Sequence, residues 1–174
     1  MSVVDDTSAV PLDAETKVVE RPGDHQAELR LWLRLLTCTA LIEGEVRRRL
    51  RENFGVTLPR FDLLAQLDKT PGGMTLGQLS SRMMVSNGNV TGLAERLVAQ
   101  GLLDRKPSAS DRRAQIVTLT AEGRRAFRAM ARAHERWIAD LFSGLASEEI
   151  DELMRLLAKT KASAREVSGG GEAS

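Results

Sequence analysis

Two short stretches carry the side chains best suited to recognising a polar, anionic partner: SNGNVTGLAERLVAQG, residues 86–101, and PSASDRRA, residues 107–114. Wound as a helix at about 100° per residue, the first stretch places Val90, Leu93, Ala94 and Leu97 on one side. The other side collects Gly88, Thr91, Gly92, Glu95 and Arg96, with Asn89 on its flank and Asn87 at the exposed start. Asn pairs bidentately with adenine, and Thr offers a hydroxyl and a methyl suited to thymine. The start of such a helix also suits phosphate. Two glycines inside a helix cost about 1 kcal/mol each relative to Ala, which points to close approach by DNA or by the preceding helix. A solvated helix start would show the same Asn, Gly and Ser. In the second stretch, Arg112 and Arg113 stand at the tip of a slender loop, where paired arginines suit a narrow minor groove. Asp111 is placed to steady one of them by a charge-assisted hydrogen bond. A solvated charged turn has the same composition.

These groups need elements to hold them. The apolar spacing predicts six helical segments and one hairpin. The first helix runs from Gln26 to Asn53 with two stripes, Leu29, Trp32, Leu33, Leu36 and Ala40 on one and Leu35, Ile42, Val46 and Leu50 on the other. A helix apolar on two sides needs two covers: its own domain and a partner chain. Gly55 ends it, and Thr57-Leu58-Pro59 opens a helix carrying Phe61, Leu64, Ala65 and Leu67. Thr75 and Gln78 form a capping box for a short helix with Leu79, Met83 and Met84. Ser86 caps the next helix, which stops at Gly101. Leu102 to Lys106 and Gln115 to Leu119 read as strands. Thr120 caps a long helix whose seam, Phe127, Met130, His134, Trp137 and Leu141, steps as a heptad. Ser147 is expected to cap the last helix, with Ile150, Leu153, Met154 and Leu157 as its stripe. The expected fold is mainly α with a small β-hairpin wing.

Composition sets the outer bounds. The chain has 174 residues, 42% hydrophobic and 28% charged, enough for one core. No apolar run reaches the roughly 18–20 residues that a membrane helix needs. The acidic start MSVVDDTSAVPLDAE does not resemble a secretory leader, and with the single Cys38 it suggests a cytoplasmic protein without disulfides. The formal net charge of +1 is unevenly spread. Residues 1–28 carry −5 and residues 29–174 carry +6, so an acidic arm precedes a basic body. Aromatics make up 3% with no Tyr, which argues against base-stacking sheets. The expected division is an acidic disordered arm over 1–24, a helical dimerisation region from 25–56 and 124–164, a winged domain over 57–123 and a flexible tail over 165–174.

Helix, tight turn, helix and hairpin is the winged helix-turn-helix order, whose second helix enters the major groove. Asp111-Arg112-Arg113, five residues and then Leu119-Thr120 resemble the D-x-R-x(5)-L-T wing signature of MarR-type transcriptional regulators. VTGLAERLVAQGLLDRK and AEGRRAF are similar to that family too, and the likeness spans about residues 26–164. It implies a homodimer of intertwined terminal helices on a pseudo-palindromic operator in double-stranded DNA. It also implies repression relieved by a small aromatic ligand. Carried onto this chain, Asn87, Asn89 and Thr91 meet bases or neighbouring phosphates. Arg96, Arg82 and Ser86 meet phosphate, and Arg113 is the wing arginine beside Arg112.

The same resemblance places an effector pocket where the dimer helices meet the winged domain. Its expected lining is Trp32, Leu36, Phe61, Met130, His134 and Trp137, with Arg34 or Arg60 for a carboxylate. Each apolar member would serve equally as core. Arg47, Arg48, Arg49, Arg51 and Arg60 lie in a stretch similar to regulators of hydroxycinnamate degradation, which respond to aromatic CoA thioesters. Glu43, Glu45 and Glu52 offer those arginines ordinary helix-face partners instead. Cys38 reads as an inert core thiol. No cofactor is expected, and His25 and His134, 109 positions apart, make no metal cluster. No Ser/His/Asp set, phosphate-cradling glycine loop or H-E-x-x-H appears, so an enzyme is not expected. The alternatives are a protein-interaction winged helix and a nonspecific DNA-architectural protein.

Overall fold

The structure is a computed structural model that describes residues 27–107 and 115–169. Among them are six helices: α1 (Ala27–Phe54), α2 (Leu58–Asp68), α3 (Leu76–Met83), α4 (Asn87–Ala99), α5 (Ala121–Leu141) and α6 (Ser147–Gly169). Three strands accompany them: β1 (Met74–Thr75), β2 (Leu103–Pro107) and β3 (Gln115–Leu119). The arm over 1–24, His25 and the loop with Asp111, Arg112 and Arg113 lie outside the described residues. The chain divides into two compact units, one ending at Ala133 and the other beginning at His134. The boundary therefore falls inside α5.

Local chemistry accounts for most element ends. The Thr75 hydroxyl accepts from the Gln78 N–H at 3.2 Å, while the Gln78 side chain accepts from the Thr75 N–H at 2.9 Å, closing the capping box of α3. Ser86 caps α4, its hydroxyl accepting from the Asn89 N–H at 3.4 Å. Gly101, at φ +70°, turns the chain out of α4 in a conformation that L side chains adopt only with strain. The Thr120 hydroxyl accepts from the Gly123 N–H at 2.9 Å and starts α5.

The sheet is antiparallel in the order β1-β3-β2, with Leu103 opposite Leu119, Arg105 opposite Val117, and Met74 opposite Val117 on the other edge. The third strand goes beyond the two-stranded hairpin expected from sequence. Two residues carry no readable alternation, and their pairing partner lies more than forty positions away. The core of the first unit gathers Val46 and Leu50 from α1, Leu63, Leu64 and Leu67 from α2, and Leu79 from α3. Val90, Ala94 and Leu97 of α4 join them with Val117 of β3 and Phe127 and Met130 of α5. The Phe61 and Phe127 rings meet at 5.6 Å between centroids. A Cβ on Gly123 would overlap the Leu102 carbonyl oxygen, so α5 lies too close to the α4–β2 connection for any side chain there.

Three expectations are corrected. Ser147 is the first residue of α6, not its cap. The Ala146 N–H instead donates to the Glu149 carboxylate at 2.8 Å. Cys38 is exposed, not a core thiol, in a stretch of α1 where Trp32 and Leu41 are exposed as well. The second strand is shifted by one residue, running from Leu103 to Pro107 instead of from Leu102 to Lys106.

Candidate nucleic-acid interface

The tight turn between α3 and α4 sets the candidate surface. The Ser80 hydroxyl donates to the Val85 carbonyl at 2.6 Å, fastening the turn to α3. Met84 sits there at φ 53° and is 92% exposed. The turn delivers α4 onto α2, α3 and β2 with Val90, Ala94 and Leu97 buried and Leu93 half-buried. Its other side faces outward. Asn87, Asn89 and Arg96 are exposed, and Thr91 is half-buried. The Thr91 hydroxyl donates to the Asn87 carbonyl at 2.8 Å, which leaves its methyl and an acceptor lone pair for anything outside. Nothing lies within 4 Å of a Cβ built on Gly88 or Gly92. The preceding helix therefore does not account for these glycines.

Arg82, exposed in the last turn of α3, reaches the Thr70 hydroxyl at 3.5 Å. Ser86, at the cap of α4, follows four residues later, and a helix start of this kind suits phosphate. Arg112, Arg113 and their expected support Asp111 lie outside the described residues.

The sequence places Glu95 on the outward side of α4 but does not reveal that it pairs with Arg105. Arg105 follows Leu103 on the same side of β2, because alternate residues share a face. Its Nη1 stands 4.0 Å from Glu95 Oε1 of α4. Both are charged residues among many in the text. Only the packing of β2 under α4 brings them together.

The expected effector residues separate. Arg60 and Met130 line one cleft of about 300 Å³ with Phe54, Val56, Leu102 and Ala129. Phe61 is buried against Phe127 in the core. Trp32 is 56% exposed on α1, Arg34 is exposed beside it, and Leu36 is half-buried. In the second unit, His134 and Trp137 are half-buried on α5, and burial lowers the His134 pKa against a weaker pull from Glu135. Three arginines of α1 are paired: Arg47 with Glu43 at 2.6 Å, Arg48 with Glu45 and Glu52, and Arg49 with Glu45. Hydrogen bonds from Arg48 and Arg49 hold the Glu45 carboxyl down to about 2. A second, charged cleft of about 530 Å³ brings Glu43, Arg47, Asp62, Lys69 and Arg82 together. Burial and the neighbouring Glu43 raise the Asp62 pKa, with Arg47 opposing. Among the described residues no cluster of His, Cys, Asp and Glu could hold a metal ion, and no helix is long and apolar enough to cross a membrane.

Known proteins share this arrangement. A family model described as the MarR family matches residues 54–114. The chain is 32% identical over 116 residues to the transcriptional activatory protein BadR of Rhodopseudomonas palustris, covering 64% of this chain and 66% of that one. It is 32% identical to a MarR family transcriptional regulator from Silicibacter pomeroyi of known structure, at a TM-score of 0.68 over 82% of this chain and 98% of that one. It shares the fold of Sco3205, a MarR family regulator from Streptomyces coelicolor solved in complex with DNA, at a TM-score of 0.66 and 24% identity over 78% and 89% of the two chains.

Proposed function

Because the chain belongs to the MarR family of DNA-binding transcriptional regulators, we propose that it acts as a homodimeric repressor that sets two α4 helices into one pseudo-palindromic operator. The observation that carries this reading is α4 itself. One side is locked into the core by Val90, Ala94 and Leu97, while Asn87, Asn89 and Arg96 stand outward behind a capped helix start. That geometry supports base contacts by Asn87, Asn89 and Thr91 and phosphate contacts by Arg82, Ser86 and Arg96. Arg112 and Arg113, steadied by Asp111, complete it from the wing.

The dimer is supported by apolar surface left uncovered in each unit. Leu29, Leu31, Trp32 and Leu41 are exposed on α1, and Ile150, Leu153, Met154 and Leu157 are exposed on α6. Stripes of this kind on long helices need a second copy to bury them.

The proposed effector is a small aromatic acid seated in the cleft of Arg60 and Met130, which has one guanidinium for a carboxylate and apolar walls. An aromatic CoA thioester needs several cations for its phosphates. The pairing of Arg47, Arg48 and Arg49 with their own glutamates favours the simpler acid. Trp32, Arg34, Leu36, Phe61, His134 and Trp137 remain candidates for its surroundings.

Binding to the chain's own upstream DNA, measured at several salt concentrations, tests the core of this reading. A steep salt dependence with preference over random DNA supports it. Equal affinity for random DNA overturns it in favour of an architectural protein. Unchanged partner binding after Arg112→Ala and Arg113→Ala would mark a protein-interaction module. The regulatory sign is read from a promoter fusion. Expression that rises on deletion of the gene supports repression, and expression that falls assigns activation, the role named for BadR.

A further inference from the structure

Among the residues of α4, Glu95 is the one acid, and it stands on the outward side between Thr91 and the end of the helix. A carboxylate there opposes a polyanionic partner, since every phosphate repels it. Arg105 answers it from below. It continues the inward face of β2 begun by the buried Leu103, so its guanidinium lies under α4 with its side chain only 25% exposed, against 62% for Glu95. Among the described residues, its Nε and Nη2 are buried with no hydrogen-bond partner, and the nearest opposite charge is Glu95 at 4.0 Å. A desolvated guanidinium in that position draws a carboxylate strongly. The separation lies beyond hydrogen-bond range, which leaves the carboxylate oxygens available above.

We propose that Glu95 is a specificity-determining residue of the reading helix and that Arg105 is the positioning residue that sets it. Held over Arg105, the Glu95 carboxylate accepts a hydrogen bond from a base amino group. In the major groove only cytosine N4 and adenine N6 offer one. At any other register the carboxylate meets acceptors and phosphate and repels them, so one side chain rewards the right sequence and penalises the rest. Arg105 offsets that negative charge so that α4 can approach the duplex. This inference rests on the reading of α4 as the helix that meets DNA.

The test uses the full-length chain, a duplex enriched from a random pool by the wild-type protein, and an unselected duplex of equal length. Glu95→Gln is expected to tighten binding to the unselected duplex by about three- to tenfold and to shrink the preference between the two. Arg105→Gln should weaken binding to both duplexes. In the Glu95→Gln background the same change should have a much smaller effect, because there is no charge left to offset. Additive effects of the two substitutions, or an unchanged preference after Glu95→Gln alone, overturn the proposal. The second criterion needs no Arg105 variant and holds if Arg105→Gln fails to fold. Asn89→Ala serves as the reference. If it erodes the preference and Glu95→Gln does not, only this inference fails. If neither does, α4 is not the reading helix.

Discussion

Asn89 and Arg96 stand two turns apart on one helix, yet their chemistry separates their effects. On the proposed reading Asn89→Ala removes a base-edge pair, so binding should weaken by about 1–3 kcal/mol on the preferred sequence and little elsewhere. Arg96→Ala removes the proposed phosphate contact, so binding should weaken on all sequences and the salt slope should fall by about one. Competition titrations at three salt concentrations separate the two outcomes. Asp62 makes a different prediction. Its raised pKa means that the fold disfavours the ionised form, so the native state holds its proton to higher pH than the unfolded chain does. Stability from this group is therefore greatest below the ordinary aspartate range and falls as pH rises through the folded value. Asp62→Asn should raise the melting temperature at pH 7 and change it least near pH 3. A larger gain at the acidic end would reverse the sign of this argument.

At the scale of elements, caps and close approaches decide where helices begin and how they pack. Ser86→Ala removes the hydroxyl that accepts from the Asn89 N–H and should cost about 1 kcal/mol, with the loss felt first at the start of α4. Gly123→Ala forces a Cβ into the Leu102 carbonyl and should destabilise the first unit by about 1–3 kcal/mol. Denaturant unfolding checks both. Ser147→Ala should be nearly silent, since the cap of α6 runs through Ala146 and Glu149. Element identity was largely readable. The amphipathic period of α4, the Thr75–Gln78 box and the span of β3 follow from residues close in sequence. β1 did not, because its two residues pair with a strand more than forty positions away and are too few to show a side-chain alternation.

For the whole molecule, the uncovered apolar stripe of α6 determines the expectation. On the proposed homodimer, Leu153→Glu with Leu157→Glu should give a monomer by sedimentation and should reduce operator affinity by at least a hundredfold, since two half-sites would no longer be held by one particle. Circular dichroism should show the helices of the first unit retained. A variant that stays dimeric and binds normally would place the interface elsewhere. Exposure on α1 likewise decides Cys38. Leu36, Thr37 and Ala40 look like core neighbours in the sequence, yet Cys38 and Ala40 are exposed and Leu36 and Thr37 only half-buried.

What the amino-acid order determined by itself is everything set by neighbours within a turn or two. That covers the capped starts of α3, α4 and α5, the stop at Gly101, the split between the buried and outward sides of α4, and the asparagines and arginine on the outward side. Tertiary structure alone decided which charges meet across elements. Glu95 finds Arg105 because β2 runs beneath α4, whereas Arg47, Arg48 and Arg49 meet glutamates three or four residues away on their own helix, a spacing already present in the sequence. The physical reason is range: capping and amphipathicity act through bonds and angles a few residues long, whereas desolvation and pairing depend on where distant segments come to rest.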